Sequence, residues 1–128
     1  MLCRWMFWSD WGRVARIERA GMDGSHREIL TDQVQWPNGL TVDFLLEKLY
    51  WVDAKLSTIG SADLDGSNAR IVFYSTTYLK HPFSISLWED KMYWTEWDTH
   101  SIYSADKFTG ANVSKITGPM VIYSYKIC

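Results

Sequence analysis

Residues 48–56 read KLYWVDAKL: Leu49, Tyr50, Trp51 and Val52 stand side by side and end on Asp53. Alone, an apolar run this short fits a buried strand or a piece of buried helix equally well. The rest of the chain decides, because it repeats the pattern as MFWSDWG from Met6 and as MYWTEWD from Met92. Trp8, Trp51 and Trp94 follow one another at a constant spacing of 43 residues. A period of that length marks a repeat architecture in which each unit is one supersecondary module.

Each tryptophan run leads into a second β-like segment and a turn. ARIERAGMDGSHREIL follows Trp8, STIGSADLDGSNARIVF follows Trp51 and HSIYSADKFTGANVSKI follows Trp94. The pairs Asp23-Gly24 and Asp65-Gly66 predict tight type I′ hairpins, with Thr109-Gly110 in that place in the third copy. A further strand follows a proline in WPNGLTVD, from Trp36, and in HPFSISLW, from His81. One period therefore reads as four strands: A (40–42, again 84–87), B (the tryptophan run), C (about 58–62) and D (about 70–73).

Four short strands per period of this length predict an all-β fold of propeller blades. A blade is covered on both faces, so its central strand is apolar on both faces. Asp10 and Asp53 then read as architecture at strand ends, accepting hydrogen bonds from a turn or a neighbouring blade. Glu96, beside Thr95, reads as drift in the third copy.

Bulk composition agrees. The 128 residues suit one ordinary domain, and 47% apolar with 22% charged residues is globular rather than disordered. Eight Trp, seven Tyr and five Phe imply broad flat walls to pack. A net charge of −2 gives no electrostatic reason to expect nucleic acid or an anionic membrane as partner. No apolar run approaches the roughly 18 residues of a membrane span. MLCRWMFWSDWG lacks the features of a signal peptide. Cys3 and Cys128 sit at the extremes, and unpaired thiols are the favoured reading over a ring-closing disulfide. Asn112 heads the glycosylation triplet NVS.

FWSDWG, LYWVDA and MYWTEW resemble the YWTD repeat of the low-density lipoprotein receptor family. WPNGLTVD, DLDGSN, HPFSISLWEDKMYW and DKFTGAN resemble the same family in the expected order, over roughly residues 6–116. The resemblance implies a propeller of six blades, of which this chain supplies about two and a half to three. The expected units are a partial blade with strands B–D (1–35), two complete blades (36–78 and 79–117), and the start of a further blade or a divergent tail (118–128).

Strands of a blade alternate in direction, so the B–C and D–A connections share one face of the disc. That face collects Trp11, Trp36, Lys55 and Ser57, and also Lys80, His81, Trp97 and His100. The other face carries the Asp-Gly turns together with His26, Glu47, Glu89, Asp90 and Lys107. In the lipoprotein and yolk-protein receptors, the resemblance implies, histidines on the first face capture the receptor's own acidic ligand-binding modules at endosomal pH and displace cargo. His81 matches one such histidine and Lys55 matches a family lysine, whereas Ser57 stands where a second histidine is expected. His100 lies in the next B–C loop of that face. The plain alternatives stand beside these: His81 as a turn residue before Pro82, His100 as a solvated loop residue, and Trp36 as a cap on the inter-blade contact.

The implied partners are secreted protein or lipoprotein ligands and the parent receptor's own modules, with no cofactor. The expected location is the extracellular side or endosomal lumen, as part of a membrane receptor whose signal peptide and anchor lie outside this chain. An enzyme reading finds no metal-ligand spacing, nucleophile elbow or phosphate loop. DLDGSN resembles the opening of a calcium loop, but its glycine comes too early for the EF-hand order. A Wnt co-receptor-type signalling propeller and a non-functional truncated product are the alternatives to the cargo receptor.

Overall fold

The computed structural model describes residues 4–117. The segment 118–128, expected to open a further blade, and both Cys3 and Cys128 lie outside the described residues. The described chain is all β: β1 (Trp5–Asp10), β2 (Arg16–Gly21), β3 (Glu28–Thr31), β4 (Pro37–Asp43), β5 (Lys48–Asp53), β6 (Thr58–Asp63), β7 (Arg70–Tyr74), β8 (Pro82–Trp88), β9 (Lys91–Glu96), β10 (Ser101–Asp106) and β11 (Ser114–Thr117). They form three antiparallel meanders: β1-β2-β3, β4-β5-β6-β7 and β8-β9-β10-β11.

The tryptophan runs are the strands β1, β5 and β9. Their side chains alternate across the sheet, and in β5 both sides are walled in. Leu49 and Trp51 pack toward the first sheet with Ile17, Val34 and Ala62. Tyr50 and Val52 pack toward the third sheet with Ile85, Met92 and Trp94. This is why residues 49–53 are all buried, and why the apolar run has no period. Burying a side chain of this size is worth roughly 2–3 kcal/mol relative to leaving it in water.

The residue opposite each tryptophan across the B–C ladder differs. Trp51 faces Gly60, and a Cβ added there would fall 2.4 Å from the indole, so glycine lets the ring lie on the backbone. Trp94 faces Tyr103 and stacks on it at 5.9 Å, with Phe73 of the second sheet tilted against it at 5.7 Å. Trp8 faces Glu18, which is buried between Arg16 and Arg27, and Arg27 lies 5.4 Å over the Trp8 ring. The bond from Arg27 holds the Glu18 carboxyl below its usual value despite burial.

The hairpin expectation needs correction. A type I′ turn requires positive φ at both central residues, yet in each pair only the glycine has it: Gly24, Gly66 and Gly110 at 84°, 89° and 72°. In the first two turns the chain closes through Gly24 N to Gly21 O and Gly66 N to Asp63 O, with the outer bonds Gly21 N to Ser25 O and Asp63 N to Ser67 O. The third is one residue longer, with Gly110 N donating to Asp106 O and Asp106 N to Ala111 O. Asp-Gly here supplies an acceptor followed by one left-handed residue. Asp23 and Asp65 accept from the N–H and hydroxyl of Ser25 and Ser67, which holds both carboxyls below their usual value.

Candidate functional site: the aromatic and basic face

The acid that ends each tryptophan strand builds this face. Buried Asp53 accepts four backbone N–H groups, those of Gln35 (2.7 Å), Trp36 (3.2 Å), Lys55 (3.0 Å) and Leu56 (3.0 Å). Two belong to the D–A linker from the previous sheet and two to the B–C turn. Glu96 does the same work one repeat later: both oxygens accept from His81 N, at 2.9 and 3.0 Å, and one accepts from Asp98 N at 3.1 Å. Pro37 is registered with Asp53 and Pro82 with Glu96. Glu96 is therefore the third copy's equivalent of Asp53, with one methylene more, and the sequence reading of drift is corrected. Asp10 accepts only from Gly12 N among the described residues.

A second bond completes each clamp. Ala54 N donates to Trp36 O and Trp97 N donates to His81 O. The pre-proline residue is thus held at both its N–H and its C=O, and proline fixes the backbone that follows. Trp36 and His81 are equivalent positions, each delivering its side chain onto the adjacent B–C turn. In the second sheet the Lys55 ammonium lies 5.2 Å over the Trp36 ring. In the third, His81 lies 5.4 Å from the Trp97 ring, with its Nδ1 3.8 Å from an Asp98 oxygen. Trp97 is stacked on its other neighbour, Phe83, at 4.5 Å. Both packing and exposure hold here: Trp36 and Trp97 remain 46% and 43% exposed.

Among the other anticipated residues, Trp11, Lys80 and His100 are exposed. Ser57 and His100 close equivalent B–C turns, both in the left-handed region at φ 54° and 49°. The turn after β1 runs one residue longer, 11–15, than those after β5 and β9. Asn112 is exposed, at φ 58°, in the turn before β11.

The sequence reading missed a buried polar join on the opposite face. Lys107 was expected as a turn residue; instead its Nζ donates to Asp43 across the second and third sheets, with the two side chains only 8% and 6% exposed. Lys107 N donates to Asp90 O, and Lys107 O accepts the Tyr50 hydroxyl at 2.9 Å. Burial pushes the Asp43 carboxyl up, but Lys107 and the N–H groups of Leu45 and Leu46 outweigh it and hold it below its usual value. Burial raises the Tyr50 phenol. Between the first two sheets Arg19 lies 3.9 Å over Trp5 and donates to Leu64 O at 2.7 Å.

The low-density lipoprotein receptor repeat class B family matches residues 4–44 and 47–88. The chain belongs to this YWTD-repeat family. As a YWTD chain it is similar to the vitellogenin receptor Yl of Drosophila melanogaster, 40% identical over 95% of this chain and 6% of that protein. It is likewise 42% identical to the vitellogenin receptor of Solenopsis invicta, over 82% of this chain and 6% of that one. The chain thus spans a small part of both relatives. Among solved structures it superposes on the YWTD propeller of a nidogen/laminin complex with a TM-score of 0.76 and 28% identity, over 91% of this chain and 43% of that one. A luciferin-regenerating enzyme shares the fold at a TM-score of 0.64 and 19% identity, over 84% of this chain and 40% of that one. The YWTD fragment is therefore an arc of a propeller. Among the described residues no group of three or more His, Cys, Asp or Glu is placed to hold a metal ion, and no helix is long and apolar enough to cross a membrane.

Proposed function

We propose that this arc belongs to the extracellular propeller of an endocytic receptor of the lipoprotein and vitellogenin type. In this reading it is a binding module, not an enzyme, and its B–C and D–A face binds protein. The single observation carrying the proposal is that equivalent clamps hold Trp36 with Lys55 and His81 with Trp97 in fixed poses on one face. Fixed, half-exposed aromatics beside a cation lose little entropy on binding, which suits protein recognition.

The finer proposal concerns acid. Imidazole is the side chain whose ordinary titration falls between about pH 5 and 8. A protonated His81 beside Lys55's sheet adds positive charge to a face that already offers Lys55 and Lys80, and so favours acidic modules of the same receptor over cargo. The ion pairs that join the sheets hold their carboxyls below the usual range, so they keep their charge at endosomal acidity and the platform stays folded. The test is an intact receptor carrying His81→Ala. Cargo release at about pH 5.5 is expected to slow markedly. Release as fast as in the parent overturns the acid-capture role.

A further inference from the structure

The two ends of the arc are unfinished in complementary ways. The second and third sheets each begin with a strand that starts at a proline, β4 and β8, and each lays its fourth residue opposite the tryptophan: Leu40 on Trp51, Ile85 on Trp94. The first sheet has three strands among the described residues, and β1 is its edge. Its outer wall is bare for the same reason. Leu49 and Trp51 are buried against a neighbouring sheet at 0% and 4% exposure, whereas their repeat equivalents are uncovered, Met6 being 40% exposed and Trp8 partly so. On the far side of the third sheet Tyr93 and Ile102 are partly exposed, where Tyr50 and Ile59, at the same positions of the second sheet, are buried. These are the two halves of the contact that the second sheet makes on both its sides.

The tail carries a matching strand. Residues 118–125, GPMVIYSY, have a proline followed three positions later by Ile122, as Pro37 is followed by Leu40 and Pro82 by Ile85. Within one copy the second sheet stands between β1 and the third sheet, from whose outer strand the tail departs. The superposed nidogen propeller uses 43% of its chain to match 91% of this one, so a closed ring needs about twice this chain.

We propose that two copies of this 128-residue chain associate head to tail into one closed ring, the tail strand of each adding to the β1 edge of the other. A heterologous contact closes when its rotation completes a circle, and an arc of half a turn does so at two copies. Main-chain pairing along β1 supplies the strand-addition geometry, and the bare walls supply the burial. The observed register, carried to this joint, sets Ile122 opposite Trp8 and Tyr125 opposite Trp5. Cys128 of one copy and Cys3 of the other then fall at the place of the 44–47 turn, inside the ~4.4–6.8 Å Cα separation a disulfide spans. The proposal is independent of what the aromatic face binds.

The test measures mass by light scattering and native mass spectrometry, together with cysteine pairing. The parent chain is expected to run at twice its chain mass, and Ile122→Lys is expected to weaken association at least tenfold. Should that variant fail to fold, pairing still decides. A mixture of Cys3→Ser and Cys128→Ser chains, oxidised together, is expected to give a covalent one-to-one dimer that neither variant gives alone. A monomer, an open polymer, a Cys3–Cys128 bond within one chain, or a mixture that yields no more covalent dimer than its parts would overturn the proposal.

Discussion

Lys107, in the turn before the last strand, donates a buried hydrogen bond to Asp43, 64 residues earlier at the end of the second sheet's first strand. Two wedges are thereby pinned at one rim, and the Tyr50 hydroxyl on Lys107 O adds a second bond at the same place. Removing one partner leaves a charge buried without compensation, which typically costs about 3–5 kcal/mol. Lys107→Met is expected to destabilise by about that amount in chemical denaturation, whereas Asp43→Leu with Lys107→Met recovers most of the loss. Equal losses in the single and double variants would show that the pair contributes nothing specific.

The same pair fixes the acid response. Asp43 has a folded value below its unfolded one, so its contribution is complete above the ordinary aspartate range near pH 4 and is lost as pH falls through the folded value. Glu18 behaves likewise through Arg27 and Arg16. Stability is expected to stay nearly level from pH 7 to about 5 and to decline below about 4. Thermal melts across that range check this. A sharp loss between pH 6 and 5 would place the acid-sensitive event in the fold instead of on the binding face.

Asp53→Ala removes the acceptor for four N–H groups at once. Several stranded donors at about 1–3 kcal/mol each make this among the costliest single changes in the chain. The expected signature in hydrogen exchange is fast exchange at Gln35, Trp36, Lys55 and Leu56 together. Loss confined to the B–C turn would mean that the D–A linker is held by something else.

Gly60 is a steric requirement, since any Cβ there meets the Trp51 ring at 2.4 Å. Gly60→Ala is expected to cost about 1–3 kcal/mol through overpacking. Lys55→Ala and His81→Ala, on the exposed face, should change stability by less than about 1 kcal/mol. A change in ligand release in those two variants then reads as a binding effect. Urea midpoints for all three separate the cases.

How much of this was legible in the sequence follows from what each feature depends on. The wedges were legible because a wall packed on both sides writes an unbroken apolar run at Leu49–Val52 and repeats it with a fixed period. The shared face was legible because alternating strand direction sorts the loops without side-chain detail. Turn type was not, since one Asp-Gly dipeptide serves both a type I′ hairpin and the longer turns seen at Gly24 and Gly66. Glu96 was misread because its role as the third clamp appears only through its bonds to His81 and Asp98. Lys107 was misread because a lysine in a turn ordinarily meets water; burial here depends on a carboxylate far away in sequence. The Trp36–Lys55 and His81–Trp97 contacts needed the clamp geometry before their side chains could be aimed.

Contacts between sheets test the wedge arrangement most directly. Nuclear Overhauser effects in a labelled chain are expected between the Phe73 and Trp94 rings, and between the Tyr50 ring and Lys107, each pair joining the second sheet to the third. Cross-peaks confined within each meander, with none linking the second sheet to the third, would contradict the account.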